Sequence, residues 1–465
     1  MPGFAGLQTN FITWLILVGT TAGWMISVRL VPGLAREGWP SVLKSLYGLV
    51  WLGFGLDILI RFLMLSYNAV EWGNYTLRLV ALRVDTVNTT LAYSGLFWML
   101  VALAYAFAVR REGAGPLGMA RIFTLDFAYE AAIPVAVLAS ASFYLTEGQH
   151  LPLALITPLA LLAALYYVPA AIIWWDHFRQ PGSKWRIGSI HCIVLLPALV
   201  RGWCSPYREN LAPIVIIPFI AALFAGRRPA LRKVVPVALV CFFVLTSVVG
   251  TYRRIKWENV PPEEVAREFG QLSFVDWVSG TWEEPIHRLH GFDSMLLTVA
   301  LVPALQPHSG RNVLVAPFLR GLIPRFINSD KSGLDAAKNF GAGIWTFDDP
   351  MGRAHASGFA IAPTMPGDLY EAGGVLYIAI GALLWGCLIG LVDGWRAHLP
   401  EYGAAAVTML VATQCAMSVE KDFVHSVASF IQTMLVFLLA AAVIALVRRR
   451  SAEFALDFDP SLERS

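Results

Sequence analysis

Runs of about 20 apolar residues recur along this chain of 465 residues, and short Arg-rich or Pro- and Gly-rich stretches separate them. An α-helix needs roughly 20 such residues to cross the hydrocarbon core of a bilayer. Only 14% of the residues are charged, whereas roughly 25% are charged in soluble domains. The pattern therefore predicts a polytopic membrane protein. It excludes a soluble enzyme, a disordered chain and a secreted domain built on disulfides.

Eleven candidate spans define the expected fold class, an all-α polytopic membrane protein with one large outer loop. The spans lie near residues 11–30, 43–65, 87–109, 125–145, 151–174, 187–203, 211–226, 233–251, 374–395, 403–420 and 426–447. The first run is expected to remain as a permanent span, because no basic segment precedes it as in a signal peptide.

The spans divide the chain into four expected units. These are an N-terminal transmembrane bundle of about eight helices (1–251), a large outer loop with interfacial helices (252–373), C-terminal transmembrane helices (374–447) and a polar, disordered tail (448–465).

The distribution of Lys and Arg predicts the orientation of these spans. Alternate loops, counted from the one after the first span, carry 17 Lys and Arg residues, and the short loops on the other side carry 4. Cytoplasmic loops of membrane proteins are enriched in these residues. The N-terminus should therefore face outside, the C-terminus should be cytoplasmic, and residues 252–373 should lie outside.

The long outer loop should fold as a functional unit, because structureless loops of this length are uncommon. Residues 261–272 predict a short amphipathic helix, which Pro262 and two following glutamates suit as a start. The apolar stretch 292–305 is too short to span and predicts a re-entrant or interfacial helix.

Cations in this loop are candidates for binding a phosphorylated, lipid-linked substrate. Arg253 and Arg254 follow a span directly, and Arg325 and Lys331 belong to a basic, apolar stretch that starts at Arg311. Arginine binds phosphate oxygens bidentately. The alternative reading is that these side chains anchor the protein to anionic lipid headgroups.

Two further clusters contain the candidate acids of the loop. Arg288, His290 and Asp293 precede the apolar stretch, where Asp293 could instead cap a helix or pair with Arg288. Asp368 and Glu371 stand three residues apart at the mouth of a span, so that in a helix they share a face. One could act as a general base or orient a sugar hydroxyl, and the alternative is a helix cap.

Ionisable residues also occur elsewhere. Asp57 and Arg61 lie four residues apart inside a span, a spacing that predicts a pair. The stretch 420–425, with Asp422, is a further cluster of candidate residues in an outer turn. The alternative is that it is an ordinary solvated turn. The five cysteines have no metal-ligand spacing, and no metal or cofactor is expected. The dispersed positive charges do not indicate nucleic-acid binding.

Three short signals in order resemble the Wzy-type polymerases of O-antigen and exopolysaccharide repeat units. They are Arg288 to Asp293 before an apolar helix, Ile323-Pro324-Arg325 followed by Asp330-Lys331, and Gly367 to Gly374 entering a span. The last is similar to the family pattern Gly-Glu-x-Tyr-x-x-x-Gly, with Asp368 in place of Glu. The resemblance covers roughly residues 250–430.

The resemblance implies a GT-C-like membrane glycosyltransferase at the outer face of the bacterial inner membrane. Such an enzyme transfers a growing glycan from undecaprenyl pyrophosphate to the end sugar of another lipid-linked repeat unit. A chain-length copolymerase and a flippase would be partners. Under this reading the catalytic candidates are Asp368, Glu371 and His290. The candidates for binding pyrophosphate and glycan are Arg253, Arg254, Arg288, Asp293, Arg325, Lys331 and Tyr370.

Three other functions remain open at this point. An O-antigen ligase would use the same donor with a different acceptor. A transporter or flippase for lipid-linked sugars would need ionisable residues along a path across the bilayer, whereas the charged clusters here lie on one side. An exosortase-like peptidase would need an outer Cys and His, and Cys204 is the only outer-loop cysteine, with no His beside it in sequence.

Overall fold

The structure is a computed structural model of the chain. It describes residues 7–66, 83–111, 124–147, 163–180, 191–204, 213–227, 261–271, 291–304, 307–322, 364–416 and 421–458, with six isolated positions. These residues form helices and connecting turns, and none of them lies in a β-strand.

The described helices follow one another along the chain as sixteen α-helices. They are α1 (Phe11–Ser27), α2 (Leu34–Glu37), α3 (Pro40–Lys44), α4 (Leu46–Phe54), α5 (Arg61–Ser66), α6 (Val84–Arg111), α7 (Leu125–Glu147), α8 (Tyr167–Arg179), α9 (Leu196–Cys204), α10 (Pro213–Phe224), α11 (Pro262–Gln271), α12 (Gly291–Leu301), α13 (Ala316–Leu322), α14 (Met365–Arg396), α15 (Glu401–Ala416) and α16 (Phe423–Phe458). A π-helical segment, Gly55–Ile60, joins α4 to α5.

Six helical segments among the described residues are long and apolar enough to cross a membrane, so the chain is a helical membrane protein. They are Phe11–Leu30, Leu46–Ser66, Val84–Arg110, Leu125–Leu145, Met365–Arg396 and Phe423–Val447. Each coincides with an expected span. Four other expected spans overlap the shorter helices α8, α9, α10 and α15, and the span at 233–251 falls almost entirely outside the described residues. Their crossing of the membrane stays a prediction.

Helices α6 and α14 run parallel and pack closely, because glycines on α14 face α6. Gly386 and Gly390 lie over Val101 to Ala108 of α6. A Cβ added at Gly390 would stand 2.8 Å from the Ala108 Cβ and 3.0 Å from the Tyr105 carbonyl oxygen. Small residues at this spacing let helix backbones approach in a membrane, where dispersion contacts replace the hydrophobic effect as the driving force.

Buried Asp393 ties three helices together at one end of the bundle. Its carboxylate accepts hydrogen bonds from the Ser45 hydroxyl (2.7 Å), the Tyr105 hydroxyl (3.0 Å) and the Arg396 guanidinium (2.6 Å). The Leu46 amide, the first of α4, also donates to it at 3.2 Å. A charge without water is stable only when it is paired and hydrogen-bonded, and this network meets that condition. We call this end the Asp393 end.

Helix α14 is broken near its start, at the opposite end of the bundle. Gly373 and Gly374 have non-helical backbone angles, and Gly374 has a φ of 71°, which glycine adopts without strain. Thr364 caps the first segment by accepting from the Gly367 amide at 3.1 Å. The break separates a short buried helix, 365–372, from the span that continues to Arg396. We call this end the Asp368 end.

Three expectations about local structure have outcomes. The amphipathic helix over 261–272 is confirmed as α11. The apolar stretch 292–305 forms a helix as far as Leu301, α12, and ten residues of α12 are buried, so this helix packs inside the protein. Its expected re-entrant or interfacial position in the membrane stays a prediction. The tail was expected to be disordered from residue 448, and this is wrong as far as Phe458, because α16 continues to that residue.

Candidate functional site

The break in α14 is bridged by the segment 307–311. The amides of Ser309 and Gly310 each donate at 3.0 Å, to the carbonyl oxygens of Glu371 and Ala372 respectively. The Nδ1 atom of His308 lies 2.9 Å from the Tyr370 carbonyl oxygen. Carbonyls at the end of a helix have no hydrogen-bond partner within that helix. The segment 307–311 provides a partner for each of three successive carbonyls. The bridge brings the next residue, Arg311, to the face of the short helix.

Arg311 pairs with both carboxylates of that helix. Its Nη2 atom donates to Asp368 Oδ1 at 2.9 Å and also contacts Glu371 Oε2. The hydroxyl of Ser309 links Arg311 to Glu371. It accepts a hydrogen bond from Arg311 Nε at 3.2 Å and donates one to Glu371 Oε2 at 3.1 Å. Asp368 and Glu371 therefore share one face, as their spacing predicts, and they share one cation.

The two carboxylates differ in their access to solvent. The side chain of Asp368 is 2% exposed, that of Glu371 is 14% exposed, and that of Arg311 is 29% exposed. Asp368 Oδ2 also accepts from the amides of Phe423 (3.1 Å) and Val424 (3.4 Å), the first residues of α16. Those amides have no partner inside their helix. Asp368 thus joins α14 to α16, and Glu371 is the carboxylate that a substrate can reach.

Asp422 contributes a third carboxyl beside this pair. It accepts from the His425 amide at 2.7 Å and so caps α16. Burial raises the pKa of Asp422, and this outweighs the opposing effects of the His425 hydrogen bond and of nearby Arg311 and Lys421. Burial alone would lower the pKa of Arg311, but Asp368 and Glu371 outweigh it and raise that pKa. The guanidinium therefore stays charged.

Aromatic rings line the same helix turn. The Tyr370 ring lies 5.2 Å from the Tyr93 ring and 5.4 Å from the His308 ring, centroid to centroid. The His308 side chain belongs to an exposed residue, although its ring is held by the Tyr370 carbonyl. Tyr370 itself is buried, so the partly exposed rings beside the carboxylates are those of Tyr93 and His308.

Asp293 lies in a second, more deeply buried ion pair. It accepts two hydrogen bonds from Arg61 on α5, at 2.7 Å from Nη2 and 3.1 Å from Nε. The Arg61 side chain is 1% exposed. Asp57 lies next to α12, since a Cβ added at Gly291 would stand 2.8 Å from its Cβ atom. The pair holds α12 against α5 and gives Asp293 a structural partner.

The structure describes four of the ten candidate residues, and it brings three of these together. Asp368, Tyr370 and Glu371 lie on one helix turn, and Asp293 lies on α12, which packs against that helix. The other six lie outside the described residues: Arg253, Arg254, Arg288, His290, Arg325 and Lys331.

Sequence reasoning missed the partners of the carboxylates. Arg311 was placed in a basic interfacial stretch, and His308 and Ser309 were not considered. The glycine pair after Ala372 was a usable signal, because a broken helix needs a segment to satisfy its free carbonyls. That requirement does not say which segment does so.

No family model, curated protein or solved structure matches the chain. Within the described ranges, no group of three or more His, Cys, Asp and Glu side chains is placed to hold a metal ion.

Proposed function

We propose that the protein is a membrane glycosyltransferase that polymerises undecaprenyl-pyrophosphate-linked repeat units at the outer face of the bacterial inner membrane. The observation that supports it best is the pair Asp368 and Glu371, which share Arg311 at a broken helix. Helix α14 holds this pair at one end of a helical membrane bundle. The proposal includes eleven spans, a GT-C-like arrangement and an outer position for the Asp368 end.

The reaction joins two lipid-linked glycans. A hydroxyl oxygen of the acceptor sugar attacks the anomeric carbon of the donor, and the bond from that carbon to the pyrophosphate oxygen breaks. The hydroxyl proton passes to a base, and undecaprenyl pyrophosphate leaves. Glu371 is the proposed base because it is the more exposed carboxylate. Asp368 is the proposed positioning residue, since it holds Arg311 and the start of α16.

The charge of the described cluster suits the acceptor side of this reaction. Three carboxyls, those of Asp368, Glu371 and Asp422, outnumber the cations Arg311 and Lys421. Such a cluster favours a hydroxyl and a developing positive charge on the donor sugar. The proposal assigns the leaving group to the cations of the loop, which are Arg253, Arg254, Arg288, Arg325 and Lys331, together with the partly exposed Arg311.

A glycan profile of a deletion strain tests the proposal. The deletion should leave single repeat units on the lipid carrier, and the wild-type gene should restore the polymer. A gene carrying Glu371→Gln should fail to restore it although the protein reaches the membrane. Glu401→Gln is the matched control, because Glu401 is an exposed carboxylate on α15, beside Arg179. The proposal is wrong if the deletion strain still makes full-length polymer.

The same profile separates two alternatives. A ligase would leave full-length polymer on the carrier and none on its final acceptor. A transporter would leave repeat units on the cytoplasmic side. The described residues favour a transporter less, because Asp393, the buried acid at the far end of the bundle, is engaged by the start of α4, Tyr105 and Arg396.

A further inference from the structure

Asp368 has hydrogen-bond partners besides Arg311. Its Oδ2 atom accepts from two amides at the start of α16, and only Oδ1 pairs with Arg311. An anion at the N-terminus of a helix is also stabilised by the helix dipole. If Arg311 moved away, Asp368 would keep two hydrogen bonds.

Glu371 also tolerates the loss of Arg311. Its Oε2 atom accepts from the Ser309 hydroxyl, and the side chain has access to solvent. Separating Arg311 from the two carboxylates therefore leaves each carboxylate with at least one described hydrogen bond, which reduces the cost of breaking the ion pairs.

Arg311 has an open side for another anion. Its hydrogen bonds within the described residues use Nε and Nη2, and Nη1 donates to none of those residues. The side chain is partly exposed, and the residues before it, 307–310, are exposed. A phosphate oxygen can accept a hydrogen bond from the exposed part of this guanidinium.

We propose that Arg311 is an exchangeable cation, which a phosphate-bearing anion takes from Glu371. In the resting site Arg311 contacts the Oε2 atom of Glu371. When a diphosphate binds Arg311, Glu371 is released and can accept a proton. The identification of this diphosphate as a lipid-linked donor rests on the proposed function. The arrangement would make the base available only when the donor is bound.

Binding of inorganic pyrophosphate tests the exchange directly. The full-length protein in phosphatidylcholine nanodiscs is titrated with pyrophosphate by calorimetry. Because Glu371 competes for Arg311, Glu371→Gln should bind pyrophosphate about tenfold more tightly, the effect of one charge-assisted hydrogen bond. Arg311→Gln should lose the binding. Arg311→Lys keeps a positive charge beside the carboxylates, and it should bind more weakly than the wild type.

Asp422→Asn is the matched control for simple electrostatics. It removes one negative charge beside Arg311, but the described residues show no hydrogen bond between the two side chains. The exchange predicts a clearly larger gain for Glu371→Gln than for Asp422→Asn. Equal gains would overturn it, since a general change of potential would then explain both. Unchanged binding in Arg311→Gln would overturn it as well.

Nanodiscs that contain phosphatidylglycerol distinguish the source of the anion. If pyrophosphate retains its affinity in these discs, ordinary headgroups do not occupy Arg311, and a diphosphate ligand is supported. If phosphatidylglycerol alone abolishes pyrophosphate binding, bulk lipid already holds Arg311 and control by a donor is overturned. These binding results do not depend on polymer formation, so a failed exchange and a failed polymerase assignment give different outcomes.

Discussion

The ion pair of Arg61 and Asp293 allows a quantitative test of whether Asp293 is structural. Arg61 is 1% exposed and makes two hydrogen bonds to Asp293. Asp293→Ala leaves a buried guanidinium without this partner, which costs about 3–5 kcal/mol. Replacing both residues by apolar ones of similar size, as in Arg61→Met with Asp293→Leu, is typically neutral or stabilising by about 1–4 kcal/mol. The double variant should therefore be more stable than Asp293→Ala.

Thermal melting in detergent, followed by fluorescence-detected size-exclusion chromatography, measures this order. Asp293→Ala should melt well below the wild type, and the double variant should recover most of the loss. Glu37→Ala is the control, because its pair with Lys44 has the same 2.7 Å separation but is exposed and should contribute less than about 1 kcal/mol.

The reasoning is refuted if the double variant melts as low as Asp293→Ala, or if Asp293→Ala melts like the wild type. A double variant that folds but makes no polymer in the complemented strain would support a role of Asp293 in substrate binding or catalysis. A double variant that makes polymer would assign it to structure.

Three further predictions concern packing, pH and the Asp393 network. Gly390→Leu should prevent the close contact of α6 and α14 and abolish the folded peak on size-exclusion chromatography, whereas Gly19→Leu, which has open space around its Cβ position, should leave it intact. Burial raises the pKa of Asp422 in the folded protein above its unfolded value, so ionisation of this group costs folded-state stability as the pH rises between those two values. The melting temperature of Asp422→Asn should consequently fall less from acidic to neutral pH than that of the wild type, and an equal fall would contradict this cause. Asp393→Ala leaves the buried Arg396 without its carboxylate and should lower the free energy of unfolding by about 3–5 kcal/mol. The measurement is the melting temperature, which should fall more in Asp393→Ala than in the conservative variant Tyr105→Phe.

The sequence predicts the membrane helices well, because a helix in lipid must form all of its backbone hydrogen bonds within itself and must be apolar over its full length. Six expected spans are confirmed on these grounds. The buried nature of α12 could not be predicted from its length of 11 residues, because an apolar helix that is too short to span can lie on a membrane surface or inside a protein.

The candidate site was predictable only in part. Asp368 and Glu371 stand out because two carboxylates three residues apart share a helix face. Their partner Arg311 is 57 residues from Asp368 in sequence, and no local spacing encodes that contact. The spacing of Asp57 and Arg61 predicts a pair within one helix, which stays a prediction, and it gives no sign of the contact of Arg61 with Asp293, 232 residues away. Long-range pairs depend on how helices pack, which periodicity does not specify.

The most direct measurement of the central claim uses the purified protein in proteoliposomes with a synthetic undecaprenyl-pyrophosphate-linked repeat unit. The wild type should make glycan polymer and release undecaprenyl pyrophosphate in proportion to the bonds formed. Glu371→Gln should make neither, and Glu401→Gln should match the wild type. Polymer from Glu371→Gln at the wild-type rate would contradict the role of this carboxylate, and no polymer from the folded wild-type protein would contradict the proposed function itself.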